Sequence, residues 1–413
     1  MNRRYKWILI TLLSGAFFFH QADRALFGLL TIPIQDDLKL SDVQIGWINT
    51  TLSWTLAAMT VVAGFLGDRF SRKWIITFSL IAWSLMTVCM GFIGGFAGAL
   101  FFRSIATGVG ESFYSPSAYA LIAVHHKETR SVALSIHQSA LYVGLMASGL
   151  IVAWALGLLG TWRNVFIAFG AAGCALGIGF IWALRDGTDG MIETSGTNGT
   201  RGRLSSALKA YFCNPSALCA TAGFVAIVFV NNAYLFWAPK FAAEKFTVGV
   251  GEAGKGVMLW HHLFALAAIL VGGFLTDRFV GSFPRFRLGF QALALLLGTP
   301  LLLWIGFAPT FTSLLVAASA YGIMRGCFEV NTHASLFDVI APAYRSTAVG
   351  LLNMIAFFFG GLSGVAMGAL SHRWGVQGFE IGFCVMAGAY LLGAACLAVS
   401  FFFTFNKNRI IER

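Results

Sequence analysis

Ionisable side chains stand where hydrocarbon is expected. Asp23 and Arg24, Arg103 and Glu111, and Arg325 and Glu329 all lie inside apolar runs. A charge near the bilayer centre costs at least about 2.5–3.5 kcal/mol on insertion scales, so such residues normally face a cavity or pair with one another. Two kinds of chemistry suit this set. An Arg can hold an anionic group, and a carboxyl can take a proton, because burial favours the neutral acid while a nearby Arg favours the ion. Asp23 and Arg24 are adjacent, so they point about 100° apart on a helix and do not simply pair. One arrangement puts Arg24 on a cavity and Asp23 against a neighbouring helix. Arg24 then binds the anion while Asp23 or Glu111 takes the proton. The competing reading is a fixed ion pair across helices. Arg325 and Glu329 are four apart and share a face. Cation before acid is the weaker order for helix stability, so they read as a second contribution to the cavity, Arg325 for the ligand and Glu329 for pairing or coupling.

Polar residues in other apolar runs extend the set. His137, Gln138, Tyr142, Asn231, Asn232, His261, His262 and Asn353 are candidates for hydrogen bonds to a ligand. Each has a plainer alternative, a bond between helices worth about 0.6–2 kcal/mol. His333 extends the Arg325 face by a further turn, or caps a helix end. Trp47, Trp54 and Tyr114 read as packing or interface anchors.

The elements that must carry these residues follow from composition. The 413 residues are 58% hydrophobic, 15% aromatic and only 11% charged, against about 25% charged in an average soluble domain. An ordinary cytosolic enzyme, a disordered chain and a disulfide-stapled module are excluded. The apolar runs are long rather than alternating, which excludes an outer-membrane barrel. At about 20 residues per span, twelve helices are expected, over residues 6–32, 43–66, 74–94, 97–122, 131–156, 163–184, 215–240, 254–276, 287–307, 311–338, 346–370 and 381–405. The fold class is therefore an all-α membrane protein, two pseudo-symmetric bundles of six transmembrane helices. The organisation is an N-terminal bundle over 1–184, a linker over 185–213 and a C-terminal bundle over 214–413. The linker is rich in Gly, Thr and Ser and reads as flexible.

Most of the 28 basic residues fall on the side of the N-terminus, while Lys39, Arg163, Lys240, Lys245, Lys255 and Arg373 fall on the other. The positive-inside rule makes both termini and the linker cytoplasmic. The net charge of +11 is then a matter of topology and calls for no nucleic acid. The seven Cys show no metal-ligand spacing and read as small apolar packers. No phosphate loop of the G-x-x-x-x-G-K-[ST] type occurs, and the loops are too short for a catalytic domain. Neither an enzyme, a cofactor nor a metal is expected.

The chain also repeats itself. Gly64-Phe65-Leu66-Gly67-Asp68-Arg69-Phe70 and Gly273-Phe274-Leu275-Thr276-Asp277-Arg278-Phe279 differ only at Gly67 against Thr276, and Arg130-Ser131-Val132-Ala133 echoes Arg345-Ser346-Thr347-Ala348. Parallel repeats of this kind put a substrate site at the repeat interface near the midplane, with access alternating as the repeats rock.

The stretch Gly64-Phe65-Leu66-Gly67-Asp68-Arg69-Phe70-Ser71-Arg72-Lys73 resembles the major facilitator superfamily signature G-x-L-A-D-[RK]-x-G-[RK]-[RK], with Gly67 for Ala and Ser71 for Gly. The resemblance implies a cytoplasmic charge latch at Asp68, Arg69 and Arg72, and more weakly at Asp277 and Arg278. The plainer reading of these cations is topology-setting. Asp23-Arg24 resembles the opening of both the anion:cation symporters and the spinster-like transporters, and Gly108-Val109-Gly110-Glu111-Ser112-Phe113-Tyr114-Ser115 is similar to the spinster G-V-G-E-A-S-Y-S. In both subfamilies the Arg precedes the Glu by seven residues. Here Arg103 precedes Glu111 by eight, which separates them by about 80° on a regular helix. The lack of long luminal loops fits a bacterial inner-membrane carrier, and a monomer is expected. It would take a small organic anion such as a sugar acid or sialic acid into the cell with H⁺, or Na⁺, as coupling ion. Two other readings stand beside it: a spinster-like carrier of lysolipids or an exporter of drugs, and, from another class, a receptor that transports nothing.

Overall fold

The computed structural model describes residues 3–67, 70–126, 129–185 and 200–410. Among them every regular element is helical. In chain order these are α1 (Arg3–Leu29), α2 (Thr31–Leu38), α3 (Asp42–Gly67), α4 (Arg72–Met90) and α5 (Phe96–Ala99). A π-helical turn over Leu100–Ala106 leads into α6 (Thr107–Ser112) and α7 (Tyr114–His125), followed by α8 (Arg130–Leu159) and α9 (Trp162–Ala183). Then come α10 (Thr200–Phe212), α11 (Pro215–Phe246), α12 (Val250–Val280), α13 (Phe286–Gly306), α14 (Phe311–Glu329), α15 (Thr332–Phe337), α16 (Arg345–Trp374), α17 (Val376–Val399) and the short α18 (Phe405–Asn408).

Nine stretches among the described residues are long and apolar enough to cross a membrane. Three further spans bring the total to twelve: α1, whose middle carries His20, Gln21, Asp23 and Arg24, then α3, and the 96–125 stretch broken by the π turn and at Phe113.

The chain divides into two compact units. Unit 1 holds Met1–Glu193 and Leu235–Leu259, and unit 2 holds Thr194–Tyr234 and Trp260–Arg413. The helices α11 and α12 therefore each contribute to both.

In unit 1 the packing of α1 decides where the chemistry goes. Leu9, Leu13, Ala16, His20, Asp23 and Phe27 are all buried, and their alternating spacings of four and three form one stripe along the helix. Leu9, Leu13, Ala16 and Phe17 meet Ile76, Leu80, Trp83, Tyr114, Leu121 and Phe180 in the core. His20 and Asp23 thus occupy positions of the buried stripe that would otherwise be apolar. The outer segment of α11 joins unit 1 through Lys240. Its Nζ donates to Asp42 and, at 2.7 Å, to Gln35 Oε1, and Glu244 lies 3.5 Å from it.

In unit 2, α14 lies hard against α12. A Cβ built at Gly322 would strike the His261 carbonyl oxygen, and one at Gly326 the Ala265 carbonyl oxygen. Small residues four apart let two backbones approach this closely. Gly322→Val is expected to force α14 away and to cost about 1–3 kcal/mol by overpacking. A lower thermal midpoint for Gly322→Val than for Gly322→Ala in detergent checks this.

The expectation of a flexible linker does not hold for 200–212, which forms α10. Leu204, Ala207, Leu208 and Tyr211 have helical spacing. Ala207 and Tyr211 are buried, and the Tyr211 hydroxyl bonds Thr221 at 2.6 Å. The helix expected over 311–338 breaks after Glu329, and His333 lies exposed on α15. Asp338, also expected within that span, sits just past α15 and pairs with Arg287 at 2.8 and 2.9 Å.

Candidate functional site

Within unit 1, Asp23 and Glu111 belong to charge pairs of different character. Asp23 is saturated. Its Oδ2 accepts from Arg103 Nη1 at 3.0 Å and its Oδ1 from the Thr87 hydroxyl at 2.7 Å. Arg103 is committed through both terminal nitrogens, since Nη2 donates to the carbonyls of Asp23 at 3.2 Å and Arg24 at 3.0 Å, while its buried Nε has no hydrogen-bond partner. Both side chains are 2% exposed. The guanidinium fastens the π turn to α1.

Glu111 is the opposite case. It is buried, yet neither carboxyl oxygen has a hydrogen-bond partner. Arg24 Nε lies 3.8 Å from Oε2 and His20 Nε2 lies 3.7 Å from it, both beyond hydrogen-bond reach. Arg24 keeps 19% of its side chain exposed. Among the described residues no Arg103–Glu111 ion pair forms. The eight-residue spacing is absorbed by the π turn, where one extra residue lowers the rotation per step, and Arg103 spends its donors on Asp23 instead.

Below Glu111 lies an aromatic stack. Phe17 packs on His20 (5.7 Å between ring centres), on Tyr114 (6.0 Å) and on His137 (4.4 Å). The Tyr114 hydroxyl lies 2.5 Å from the Leu13 carbonyl, which can only accept, and 3.2 Å from His137 Nε2. Tyr114 therefore donates to Leu13, and His137 donates from Nε2. Gln138 is exposed and accepts from the Tyr119 hydroxyl at 2.8 Å. Tyr142 is buried on α8.

Unit 2 has its own centre. Arg325 Nε donates to Glu329 Oε1 at 3.0 Å, the i, i+4 pair expected from spacing, and Nη1 lies 3.1 Å from His261 Nε2. His261 Nδ1 faces the Ala318 carbonyl at 3.2 Å. A carbonyl cannot donate, so the proton sits on Nδ1 and the Nε2 lone pair receives the guanidinium. Tyr234 and Tyr321 pack on the His261 ring, and Tyr321 bonds the Tyr390 hydroxyl at 3.0 Å. Asn231, Asn232 and Asn353 are half-buried in the same unit.

Of the latch residues, Asp68 and Arg69 lie outside the described residues. Arg72 opens α4, half-buried, with Ser71 as N-cap accepting from Trp74 N at 3.3 Å. Asp277 and Arg278 are exposed at the end of α12.

Sequence reasoning passed over two groups that the structure brings forward. His20 carried a signal, four residues before Arg24 and so one turn away on the same helix. Lys240, at the end of the 215–240 run, reads from sequence only as a cation on the side away from the N-terminus. Its burial depends on Asp42 and Gln35, residues far away in the chain.

Residues 12–361 match the pattern of the Major Facilitator Superfamily. The chain belongs to this family. It is a multi-pass membrane protein of the major facilitator fold. Among its relatives is protein spinster of Drosophila melanogaster, 27% identical over 392 residues, which cover 89% of this chain and 62% of the fly protein. Another is the probable galactarate/D-glucarate transporter GarP of Escherichia coli K12, 30% identical over 195 residues, 46% of this chain and 43% of that one. This major facilitator protein thus spans less than two thirds of the length of either relative. Among solved structures, a bacterial homologue of the human lysosomal transporter spinster, in an inward-facing and unoccupied conformation, superposes with a TM-score of 0.87 over 100% of both chains at 20% identity.

Proposed function

We propose that this protein carries a small organic anion such as a sugar acid together with a proton. The observation that carries the reading is the Arg24–Glu111 pair. Arg24 is a partly exposed guanidinium of unit 1, and it lies 3.8 Å from a buried carboxyl with no hydrogen bond of its own. At an effective dielectric of about 20, such a pair is worth about 4 kcal/mol. Desolvating a carboxylate costs several kcal/mol as well. The two nearly cancel, so a modest change in the Arg24 field decides whether Glu111 is ionised. An anion that engages Arg24 neutralises that field, and Glu111 takes a proton. Release of the anion restores the field, and the proton leaves. Substrate and proton thereby travel together.

Asp23 lacks this freedom, because Arg103 and Thr87 occupy its oxygens, so it acts as the fixed pair. Arg325 is the corresponding anion group of unit 2, with Glu329 and His261 holding it. His137, Gln138, Tyr142, Asn231, Asn232 and Asn353 supply hydrogen bonds. Asp68, Arg69, Arg72, Asp277 and Arg278 form the cytoplasmic latch. The excess of Lys and Arg toward the N-terminal side makes both termini cytoplasmic, and a bacterial inner membrane is the setting. The partial match to a sugar-acid carrier supports the substrate class. A second reading, a spinster-like carrier of amphiphiles, draws support from the match over 89% of the chain.

Purified protein in proteoliposomes decides between them. With an acid exterior, uptake of labelled glucarate above its equilibrium level is expected, abolished by a protonophore and by Arg24→Ala. Glucarate uptake that survives Arg24→Ala removes the assignment of Arg24. Movement of lysophospholipid without glucarate selects the second reading.

A further inference from the structure

His20 sits on the buried stripe of α1 with two nitrogens in unlike settings. Its Nδ1 lies 3.0 Å from Gln21 Nε2. An amide nitrogen only donates, so Nδ1 is the acceptor and the neutral ring carries its proton on Nε2. That N–H has no partner, and it lies 3.7 Å from Glu111 Oε2, which has none either. A buried donor and a buried acceptor left unmade are costly, and here they face each other. Three aromatic rings pack against the His20 ring, with centres 5.4–5.9 Å away. Phe17 and Tyr114 lie nearly parallel to it, at 25° and 26°, and Trp83 meets it edge-on at 81°.

We infer that His20 is a positioning residue for proton handling at Glu111, its Nε2–H closing on Oε2 whenever the carboxyl is ionised and withdrawing when the proton returns. The inference rests on the proton role proposed above for Glu111. The charged groups acting on Glu111 are Arg24 and Asp23 from α1 and Arg103 from the π turn. Those acting on His20 are Arg24 and Arg103, with the titratable His137 of α8 and the Glu111 backbone also beside the ring. Asp42, the ionisable residue of α3, is bound to Lys240. Tyr114 donates to the Leu13 carbonyl and so has no proton to offer Glu111. Arg24 and Arg103 are guanidinium groups that stay charged. Two donors stand just short of Oε2, Arg24 Nε at 3.8 Å and His20 Nε2 at 3.7 Å; Arg24 is the group proposed above for the anion, which leaves His20 to answer the carboxylate. A hydrogen bond to the charged form favours that form, so His20 sets the pH at which the site unloads.

Infrared titration of the protein in proteoliposomes tests this. The signal is the protonated-carboxyl band that Glu111→Gln removes. His20→Phe keeps the ring stack and deletes the donor, and its midpoint is expected about one pH unit above that of the wild type. His20→Gln, which restores an N–H donor, is expected close to the wild type. His20→Met replaces His20→Phe if the latter does not purify as a folded monodisperse protein. Equal midpoints in all three proteins overturn the inference, and so does an equal rise in His20→Phe and His20→Gln. If the midpoints move as expected while pH-driven uptake is absent, the donor role stands and the proton-coupled reading falls.

Discussion

Glu111→Gln is expected to abolish accumulation driven by a pH gradient while leaving exchange of substrate across the membrane intact. Gln has the size of the protonated acid and cannot ionise, so the variant is locked in the loaded form. With no second protonation state, the Arg24 field has nothing to act on and the cycle with an empty site cannot reset. Exchange needs only the loaded forms and continues. The magnitude follows from the driving force. One pH unit is worth about 1.36 kcal/mol per proton, a tenfold accumulation at one proton per substrate. In Glu111→Gln the ratio of internal to external substrate should fall to one at every pH gradient. The measurement is labelled-substrate accumulation beside counterflow in the same vesicles. Accumulation that persists in Glu111→Gln places the proton elsewhere, and loss of counterflow as well makes Glu111 a structural or substrate-binding group.

The same residues show what the sequence could disclose. Span count and chain reversal follow from apolar run length, a property of composition that no tertiary contact alters. The division of labour between Asp23 and Arg24 was also legible, since adjacent residues on a helix must face different neighbours. The 325/329 pair followed from i, i+4 spacing alone. The partner of Arg103 was not legible. The regular-helix angle set it apart from Glu111, but nothing in Leu-Phe-Phe-Arg-Ser-Ile-Ala announces a π turn, and only the eight-residue spacing hinted at an extra residue. Nor could the sequence say that Asp23, rather than Glu111, would receive Arg103, because that depends on how α1 and the π turn pack. Helix α10 was hidden by its neighbourhood, since a Gly- and Thr-rich stretch precedes it and lowers the average of the whole segment.

Asp23→Ala is expected to be among the most destabilising single substitutions in unit 1, and the reason is Arg103 rather than Asp23. The guanidinium would remain buried at 2% exposure, facing two backbone carbonyls and no anion. Removing one partner of a buried pair costs about 3–5 kcal/mol, because the surviving charge is left uncompensated. Against a total stability of about 5–15 kcal/mol that is a large fraction. Removing both charges is a different matter. Asp23→Leu combined with Arg103→Met fills the same volume with apolar groups, and such replacements are commonly neutral or stabilising. The expected order of thermal midpoints in detergent is therefore wild type and double variant together, with Asp23→Ala well below both. Asp23→Asn should fall between, because its amide oxygen can still accept from Thr87 or Arg103. The order separates a fixed pair from a proton carrier. A carrier must tolerate its own neutral form during each cycle, so Asp23→Asn would then match the wild type in stability and lose pH-driven accumulation as Glu111→Gln does. If that pattern appears, the proton moves at Asp23 and the open carboxyl of Glu111 serves the substrate instead.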